Sequence, residues 1–185
     1  MKTYSKPFGI SSAIFRTWKH LMIEVQITPK MLQASIESSK KLGILNNSIR
    51  SGNGNLAGFL GEECVLNAIS GSLKSNTYDY DILIGDKRFE VKTKDRTVVP
   101  RPEYECSIAN YNTKQLADYY IFVSLLRKNN DYVKGYVLGY MSKDEYFKKA
   151  MLLKKGDIDK SNNFTVKADC WNLKINELHQ IKGNK

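Results

Sequence analysis

The chain has 185 residues, of which 42% are hydrophobic and 26% are charged, a balance typical of one folded domain rather than of a disordered chain. No apolar stretch reaches the roughly 20 residues that cross a bilayer, and the N-terminus lacks the apolar region of a signal peptide, so we expect no membrane partner and a cytoplasmic location. The formal net charge of +10 favours a polyanionic partner, because Lys and Arg side chains that neutralise phosphates release condensed counterions.

The first 45 residues are predicted to form a strand–helix extension. Residues Met22–Gln26 alternate as a short strand does, and Pro29–Leu42 is predicted to be a helix because it begins with Pro and is followed by Gly. A polar, glycine-rich loop at 46–55 then separates the extension, residues 1–45, from a domain at 56–185.

The domain is predicted to begin with a helix, because apolar residues recur at helical spacing between Leu56 and Ile69. Gly85 and Asp86 then fit a two-residue turn between two strands. The order helix, three strands, helix, strand over residues 56–126 indicates an α/β fold. The remaining predicted elements are strands at 105–108, 119–126, 135–141 and 164–173, and helices at 112–118 and 143–151.

The predicted hairpin brings two carboxylates opposite each other. With a two-residue turn, Asp81 lies opposite Glu90, and Asp79 lies opposite Lys92. Because side chains alternate between the faces of a strand, one face of the hairpin is apolar and the other carries these four charged residues. Opposed residues have Cβ atoms about 4.5–5.5 Å apart, so two carboxylates there repel each other unless a proton or a cation lies between them.

A divalent cation would relieve that repulsion. Mg²⁺ prefers oxygen ligands and commonly binds one or two carboxylates together with waters and substrate phosphates. Lys92 projects from the same face as Glu90, where it can contact an attacking water or a phosphate. The alternative is an ordinary polar strand face with solvated ion pairs, and the hairpin alone leaves both interpretations open. The two histidines and three widely spaced cysteines fit no recognisable catalytic triad or zinc motif.

The acidic positions also match a known pattern. Asp81 followed by Glu90-x-Lys92 resembles the D…(D/E)xK signature of the PD-(D/E)XK nuclease superfamily. A Gly-x-x-Gly-Glu sequence that ends at Glu62, on the preceding helix, is similar to a further feature of that superfamily. Gln115, with tyrosines four and five residues later, resembles the Gln-x₃₋₄-Tyr feature of its RecB-like branch.

The resemblance covers residues 56–126 and implies a restriction-endonuclease-like core, in which a mixed central sheet is flanked by helices. The C-terminal strands and helix at 127–185 would complete the domain. The implied cofactor is Mg²⁺, for which Mn²⁺ can substitute. The resemblance further implies that Lys92 positions or deprotonates the attacking water.

The site residues implied by the resemblance fall into three groups. Glu63 remains the alternative to Glu62, because the helix register is open, and Asp79 would support Lys92 from the same face. The implied catalytic residues are Asp81, Glu90, Lys92 and Glu62; the implied metal ligands are Glu62, Asp81, Glu90 and the carbonyl of Val91; and the implied nucleic-acid contacts are Lys94, Arg96, Lys114 and Gln115.

The implied function is that of a metal-dependent deoxyribonuclease, an endonuclease that acts in phage or bacterial DNA processing and, if phage-encoded, in the host cytoplasm. One alternative is a catalytically inactive nucleic-acid-binding module on the same fold. Another is a Holliday-junction resolvase, which would require a homodimer. A basic protein-interaction domain is a third, and it predicts no steeply salt-dependent binding of DNA.

Overall fold

The computed structural model describes residues 22–42, 53–77, 79–110, 115–159 and 164–181. Its helices are α1 (Pro29–Leu42), α2 (Asn53–Ala68) and α3 (Lys143–Lys149), with a 3₁₀ turn at Ile175–Glu177. Its strands are β1 (Ile23–Gln26), β2 (Ser72–Lys74), β3 (Ile82–Ile84), β4 (Lys87–Arg96), β5 (Glu105–Ala109), β6 (Tyr119–Lys128), β7 (Asp131–Ser142), β8 (Met151–Leu153), β9 (Ile158–Asp159), β10 (Phe164–Thr165) and β11 (Cys170–Lys174).

The main sheet has six strands in the order β1-β7-β6-β4-β3-β2. Strand β6 runs parallel to β4, and every other neighbouring pair is antiparallel, so the sheet is mixed. After α2 the chain therefore forms an antiparallel meander, β2-β3-β4, and then crosses over to β6. Strands β5, β11 and β8 form a second sheet, and β9 pairs with β10 in a hairpin.

Both faces of the main sheet are covered by apolar residues, because successive side chains of its central strands point to opposite sides. Ile121 and Val123 of β6 pack in one cluster with residues of α1 and α2. Tyr120 and Phe122 of the same strand pack in a second cluster with residues of β5, β11 and α3. The fold thus has three layers, with the helices α1 and α2 on one side of the sheet and the smaller sheet with α3 on the other.

The strand and helix predicted near the N-terminus are both confirmed. Strand β1 pairs with β7 at the edge of the main sheet, and α1 packs against α2. The hydroxyl of Thr28 caps α1 by accepting a hydrogen bond from the Met31 N–H at 3.2 Å. Residues 1–21 of the predicted extension, and most of the predicted loop at 46–55, lie outside the described residues; the last part of that loop is helical, because α2 begins at Asn53.

The predicted hairpin is confirmed in its register. Ile82 pairs with Phe89 and Ile84 with Lys87, which leaves Gly85 and Asp86 as the two turn residues. Gly85 has a φ of 61°, the left-handed conformation that a primed hairpin turn requires and that glycine adopts without strain.

The prediction of three strands after the first helix of the domain was wrong in its third strand, for which residues 105–108 were expected. Glu105–Ala109 is a strand, as expected, but it pairs with β11 in the smaller sheet. The meander is completed instead by Ser72–Lys74, which precedes the hairpin and pairs with β3. These three residues are too few to show an alternating pattern, and the sequence therefore gave no strand signal there.

Two further elements differ from the prediction. Residues 115–118 of the helix predicted at 112–118 are not helical, because their backbone bonds to other segments: the Leu116 N–H donates to the Asp79 carbonyl and the Asp118 N–H to that of Arg88. Residues 112–114 of that prediction lie outside the described residues. The strand predicted at 164–173 is two strands, β10 and β11, separated by a bend. Among the described residues, no helix is long and apolar enough to cross a membrane.

Candidate active site

Three acidic side chains meet in one cleft of about 500 Å³ at the edge of the main sheet. Glu62 comes from α2, Asp81 precedes β3, and Glu90 lies in β4. Glu62 and Glu90 are buried, with 8% and 7% of their surfaces exposed. The structure thus brings together the three carboxylates that the sequence pattern singled out.

Close packing of α2 on the sheet positions Glu62. A Cβ atom added at Gly61 would lie 1.9 Å from Oγ1 of Thr93, so only glycine allows the helix to approach β4 this closely. Further along α2, Cys64 fits against Gly135 of β7, where an added Cβ would lie 2.3 Å from its Sγ. Two glycines, one on the helix and one on the sheet, therefore set the distance at which Glu62 faces the strands.

Backbone contacts fix Asp81 at the point where β3 separates from β4. The Asp81 N–H donates to the Phe89 carbonyl at 3.0 Å, which extends the hairpin by one bond. The Val91 N–H in turn donates to Oδ2 of Asp81 at 2.7 Å. This second bond holds the carboxylate beside Glu90, as the predicted register requires.

Burial, together with the neighbouring carboxylates, raises the pKa values of Glu62 and Asp81. Burial raises the pKa of Glu62 to about 7, although the ammonium group of Lys74 opposes the shift. Burial also raises the pKa of Asp81, and repulsion from Glu90 and Glu62 adds to the effect. Negative charge is therefore unfavourable in this cleft unless a cation accompanies it.

Lys92 lies behind the cleft rather than in its wall. Its Nζ atom donates to Oε1 of Glu90 at 3.0 Å and lies 5.9 Å from the ring centroid of Tyr120. Only 13% of the Lys92 side chain is exposed. Tyr120 is the direct neighbour of Glu90 on the parallel strand β6, and its buried hydroxyl has no hydrogen-bond partner among the described residues.

Lys74 is a cation of the cleft that sequence reasoning missed. It reaches from β2 to Oε2 of Glu62 at 3.2 Å and to Oε1 of Glu63 at 3.8 Å, and its Nζ atom lies 5.3 Å from the ring centroid of Phe59. Its side chain is 36% exposed and lines the cleft, so it can meet a ligand there. A lysine on a three-residue strand carries no sequence signal of such a role.

The structure also places Glu63 and Asp79, the other two acidic residues considered for the predicted site. Glu62 lines the cleft, whereas Glu63 does not. Asp79 is exposed, and the described ion pair of Lys92 is with Glu90 rather than with Asp79. The structure therefore favours Glu62 and gives Asp79 no contact with Lys92.

The described members of the predicted nucleic-acid contacts, Lys94, Arg96 and Gln115, do not line this cleft. Lys94 and Arg96 line a larger cleft further along β4. Gln115 lies just before β6; its backbone carbonyl accepts a hydrogen bond from Lys143, and its side-chain carbonyl is buried without a partner among the described residues. Lys114 lies outside the described residues.

The donor set of the cleft suits a hard divalent cation, because carboxylate oxygens are the ligands that Mg²⁺ prefers. Each carboxylate already uses one oxygen: Glu62 with Lys74, Asp81 with the Val91 N–H, and Glu90 with Lys92. Each keeps a second oxygen that these contacts do not use. With the side chains in this arrangement, no group of three or more His, Cys, Asp or Glu residues in the described ranges forms a metal-binding cluster.

No family model, no curated protein and no solved structure matches the chain. What the cleft can do chemically therefore follows from its own side chains.

Proposed function

We propose that the chain is a metal-dependent DNA nuclease of the PD-(D/E)XK type. The observation that carries this proposal is the meeting of Glu62, Asp81 and Glu90, from three different elements, in one cleft. Mutual repulsion and burial make that arrangement unfavourable without a cation, as the raised pKa values of Glu62 and Asp81 indicate. Buried acidic groups with perturbed pKa values in a cleft are typical of functional sites.

The order of the elements supports the proposal. Helix α2 is followed by three antiparallel strands and then, after a crossover, by a strand parallel to the third. The implied restriction-endonuclease-like core has the order helix, three strands, helix, strand, and the observed elements agree with its first helix, three strands and last strand. Glu62 lies on the helix, Asp81 before the second strand and Glu90 on the third. The crossover carries β5 where that core has its second helix, although residues 111–114 of it lie outside the described part of the chain.

Glu62, Asp81 and Glu90 would hold the metal ion, for which Mg²⁺ is the expected species and Mn²⁺ the substitute. When bound, such an ion lowers the pKa of a coordinated water and neutralises charge on the phosphate oxygens. The carbonyl of Val91 is the further ligand that the sequence pattern implies.

Lys92 and Lys74 would have different roles at the cleft. Lys92, whose ammonium group donates to Glu90, would orient that carboxylate and would donate a hydrogen bond to the attacking water. Lys74, which lines the cleft, would contact a phosphate oxygen of the substrate. The basic excess of the chain would attract the polyanionic strand to the acidic centre.

A catalytically inactive nucleic-acid-binding module is the second candidate function, and the position of Lys92 favours it. The Lys92 ammonium group faces Glu90 and the ring of Tyr120, and it does not line the cleft that would hold the scissile bond. A Holliday-junction resolvase is a narrower form of the first candidate and would show itself as a homodimer that cuts branched DNA.

The experiment that separates these functions is a cleavage assay on labelled single-stranded, duplex and branched DNA in EDTA, Mg²⁺ or Mn²⁺. We expect metal-dependent cutting by the wild type and none by Glu90→Gln, a change that keeps the side chain's shape. Glu37→Gln, which removes one charge from the exposed surface of α1, is the matched control and should cut normally. Salt-sensitive DNA binding without cutting in any metal would instead establish the inactive module.

A further inference from the structure

A second, larger cleft of about 1050 Å³ lies at the far end of β4, where it meets the end of β6 and the start of β5. Four cationic side chains line it: Lys94, Arg96, Arg127 and Lys174. It shares no lining residue with the carboxylate cleft. Lys94 and Arg96 nevertheless point to the same face of β4 as Glu90, because they are separated from it by even numbers of residues.

The two cations on β4 contact only neutral oxygens among the described residues. Nζ of Lys94 donates to Oγ of Ser107 at 3.3 Å and to the Glu105 carbonyl at 3.5 Å. Arg96 donates through Nε to Oγ of Ser124 at 3.0 Å and through Nη2 to the Glu105 carbonyl at 2.8 Å. Neither side chain forms a salt bridge with a described carboxylate; Glu105 attracts both cations, and Asp159 attracts Lys94, only from beyond salt-bridge distance.

Two of the acidic side chains of the cleft have contacts with groups other than Lys94 and Arg96, and one of these groups is Arg127 of the same lining. Asp95 lies 3.7 Å from Arg127 and accepts a hydrogen bond from the Tyr132 hydroxyl at 3.1 Å. The Glu105 carboxylate accepts a hydrogen bond from Asn172 of the smaller sheet at 2.6 Å. Glu103, the remaining acidic side chain of the lining, is exposed.

Arg96 is half-buried, whereas Lys94 is exposed where the cleft opens to solvent. Desolvation lowers the pKa of Lys94 and of Arg96, and repulsion from Arg96 adds to the effect on Lys94. The Arg96 guanidinium is also held 5.0 Å from the ring centroid of Tyr104, which fixes its position. Two adjacent cations repel each other, and an anion bound between them would relieve that repulsion.

We propose that this cleft binds phosphate groups of a nucleic-acid strand, separately from the carboxylate cleft. That the ligand is nucleic acid rests on the proposed function; that it is anionic follows from the four cationic side chains of the lining, of which Lys94 and Arg96 have no salt bridge to a described carboxylate. At about 3.3 Å per residue along a strand, these side chains lie roughly 13 and 20 Å from Glu90. In a duplex, where each strand has a phosphate every 3.4 Å or so along the axis, this span covers about four to six phosphates. The cleft would therefore hold the substrate several nucleotides away from the bond that is cut.

Fluorescence anisotropy with labelled single-stranded and duplex 20-mers tests the proposal in EDTA, over a series of salt concentrations. The test variant is Lys94→Met/Lys174→Met, and the matched control is Lys30→Met/Lys40→Met, which removes the same charge from exposed positions on α1. We expect at least tenfold weaker binding by the test variant and a slope of log affinity against log salt that is flatter by about two. The control should stay within about twofold of the wild type.

Two results would overturn the proposal: equal affinity and salt slope in the test variant and the control, or no binding of either oligonucleotide by the wild type. Arg96→Lys, which keeps the charge but loses the guanidinium fork, should give an intermediate loss with an unchanged melting temperature. Because cleavage is suppressed in EDTA, the binding result is independent of the nuclease proposal. Loss of binding by the test variant would support the phosphate cleft even if the wild type cut no DNA in Mg²⁺, and cutting with undiminished binding by the test variant would support only the nuclease.

Discussion

Replacing Glu62 with Gln should stabilise the metal-free protein at neutral and alkaline pH. Burial moves the pKa of Glu62 from its ordinary value of 4.5 to about 7 in the folded state, and only 11% of the side chain is exposed, so solvent screening is small. Since one pKa unit corresponds to about 1.4 kcal/mol, ionised Glu62 costs the folded state about 3 kcal/mol.

The sign of the pH dependence follows from the raised pKa. Below pH 4.5 the side chain is protonated in both the folded and the unfolded state, and Glu62→Gln should change the stability little. Between pH 4.5 and 7 the unfolded state ionises first, so the wild type loses stability as the pH rises. The advantage of the variant should therefore grow through this range and level off above pH 7.

Urea denaturation in EDTA at pH 4, 6 and 8 measures this advantage as a difference in the free energy of unfolding. Glu63→Gln, which removes a charge from the next position of the same helix but does not line the carboxylate cleft, is the matched control. The assignment of Glu62 to a crowded acidic cleft would be refuted if the difference in stability between Glu62→Gln and the wild type were the same at all three pH values. It would also be refuted if the variant were less stable than the wild type at pH 8. Added Mg²⁺ should reverse the order at pH 8, because the wild type would bind it more tightly.

Three further predictions concern the cleft and the helix that carries Glu62. Gly61→Ala should lower the free energy of unfolding by about 1–3 kcal/mol, because its Cβ would overlap Thr93. Thermal melts should show no such loss for the control Gly58→Ala, because a Cβ there has nothing within 4 Å and the change gains helix propensity of up to about 1 kcal/mol. Lys92→Met should reduce the cleavage rate by a factor of about 100 or more while DNA binding in EDTA is retained, and cleavage at the wild-type rate would remove Lys92 from the mechanism. Asp81→Asn should abolish Mg²⁺ binding measured by calorimetry, and wild-type affinity in that variant would contradict its assignment as a ligand.

The parts of the site that depend on local chemistry could be predicted from the sequence. A two-residue glycine turn fixes the register of its hairpin, and the register alone places Asp81 beside Glu90. The helix that bears Glu62 could likewise be predicted, because its apolar spacing is regular. What brings this helix to the hairpin is the contact of Gly61 with Thr93, and the sequence shows the glycine but not its partner.

The contacts of the site that sequence reasoning missed depend on pairings between distant segments. Lys74 reaches the cleft only because a strand of three residues completes the meander, and Tyr120 lies beside Glu90 only because β6 joins β4 in parallel. Likewise, the segment 115–118 has polar and apolar residues that a helix could use, but its backbone bonds to Asp79 and Arg88 instead. Long-range backbone pairing of this kind leaves no periodic signal in the local sequence.

The edge position of β1 has a consequence for how the protein forms during synthesis. The contact of Glu24 with Lys134 spans 110 residues, so the first described strand has no partner until β7 leaves the ribosome. At an elongation rate of roughly 5–20 residues per second, this delay is about 5–20 s. During it, the nascent chain carries an unpaired edge strand, although α1 can already pack against α2. The N-terminal segment is therefore the part of the chain that most needs protection from aggregation while the rest is being made.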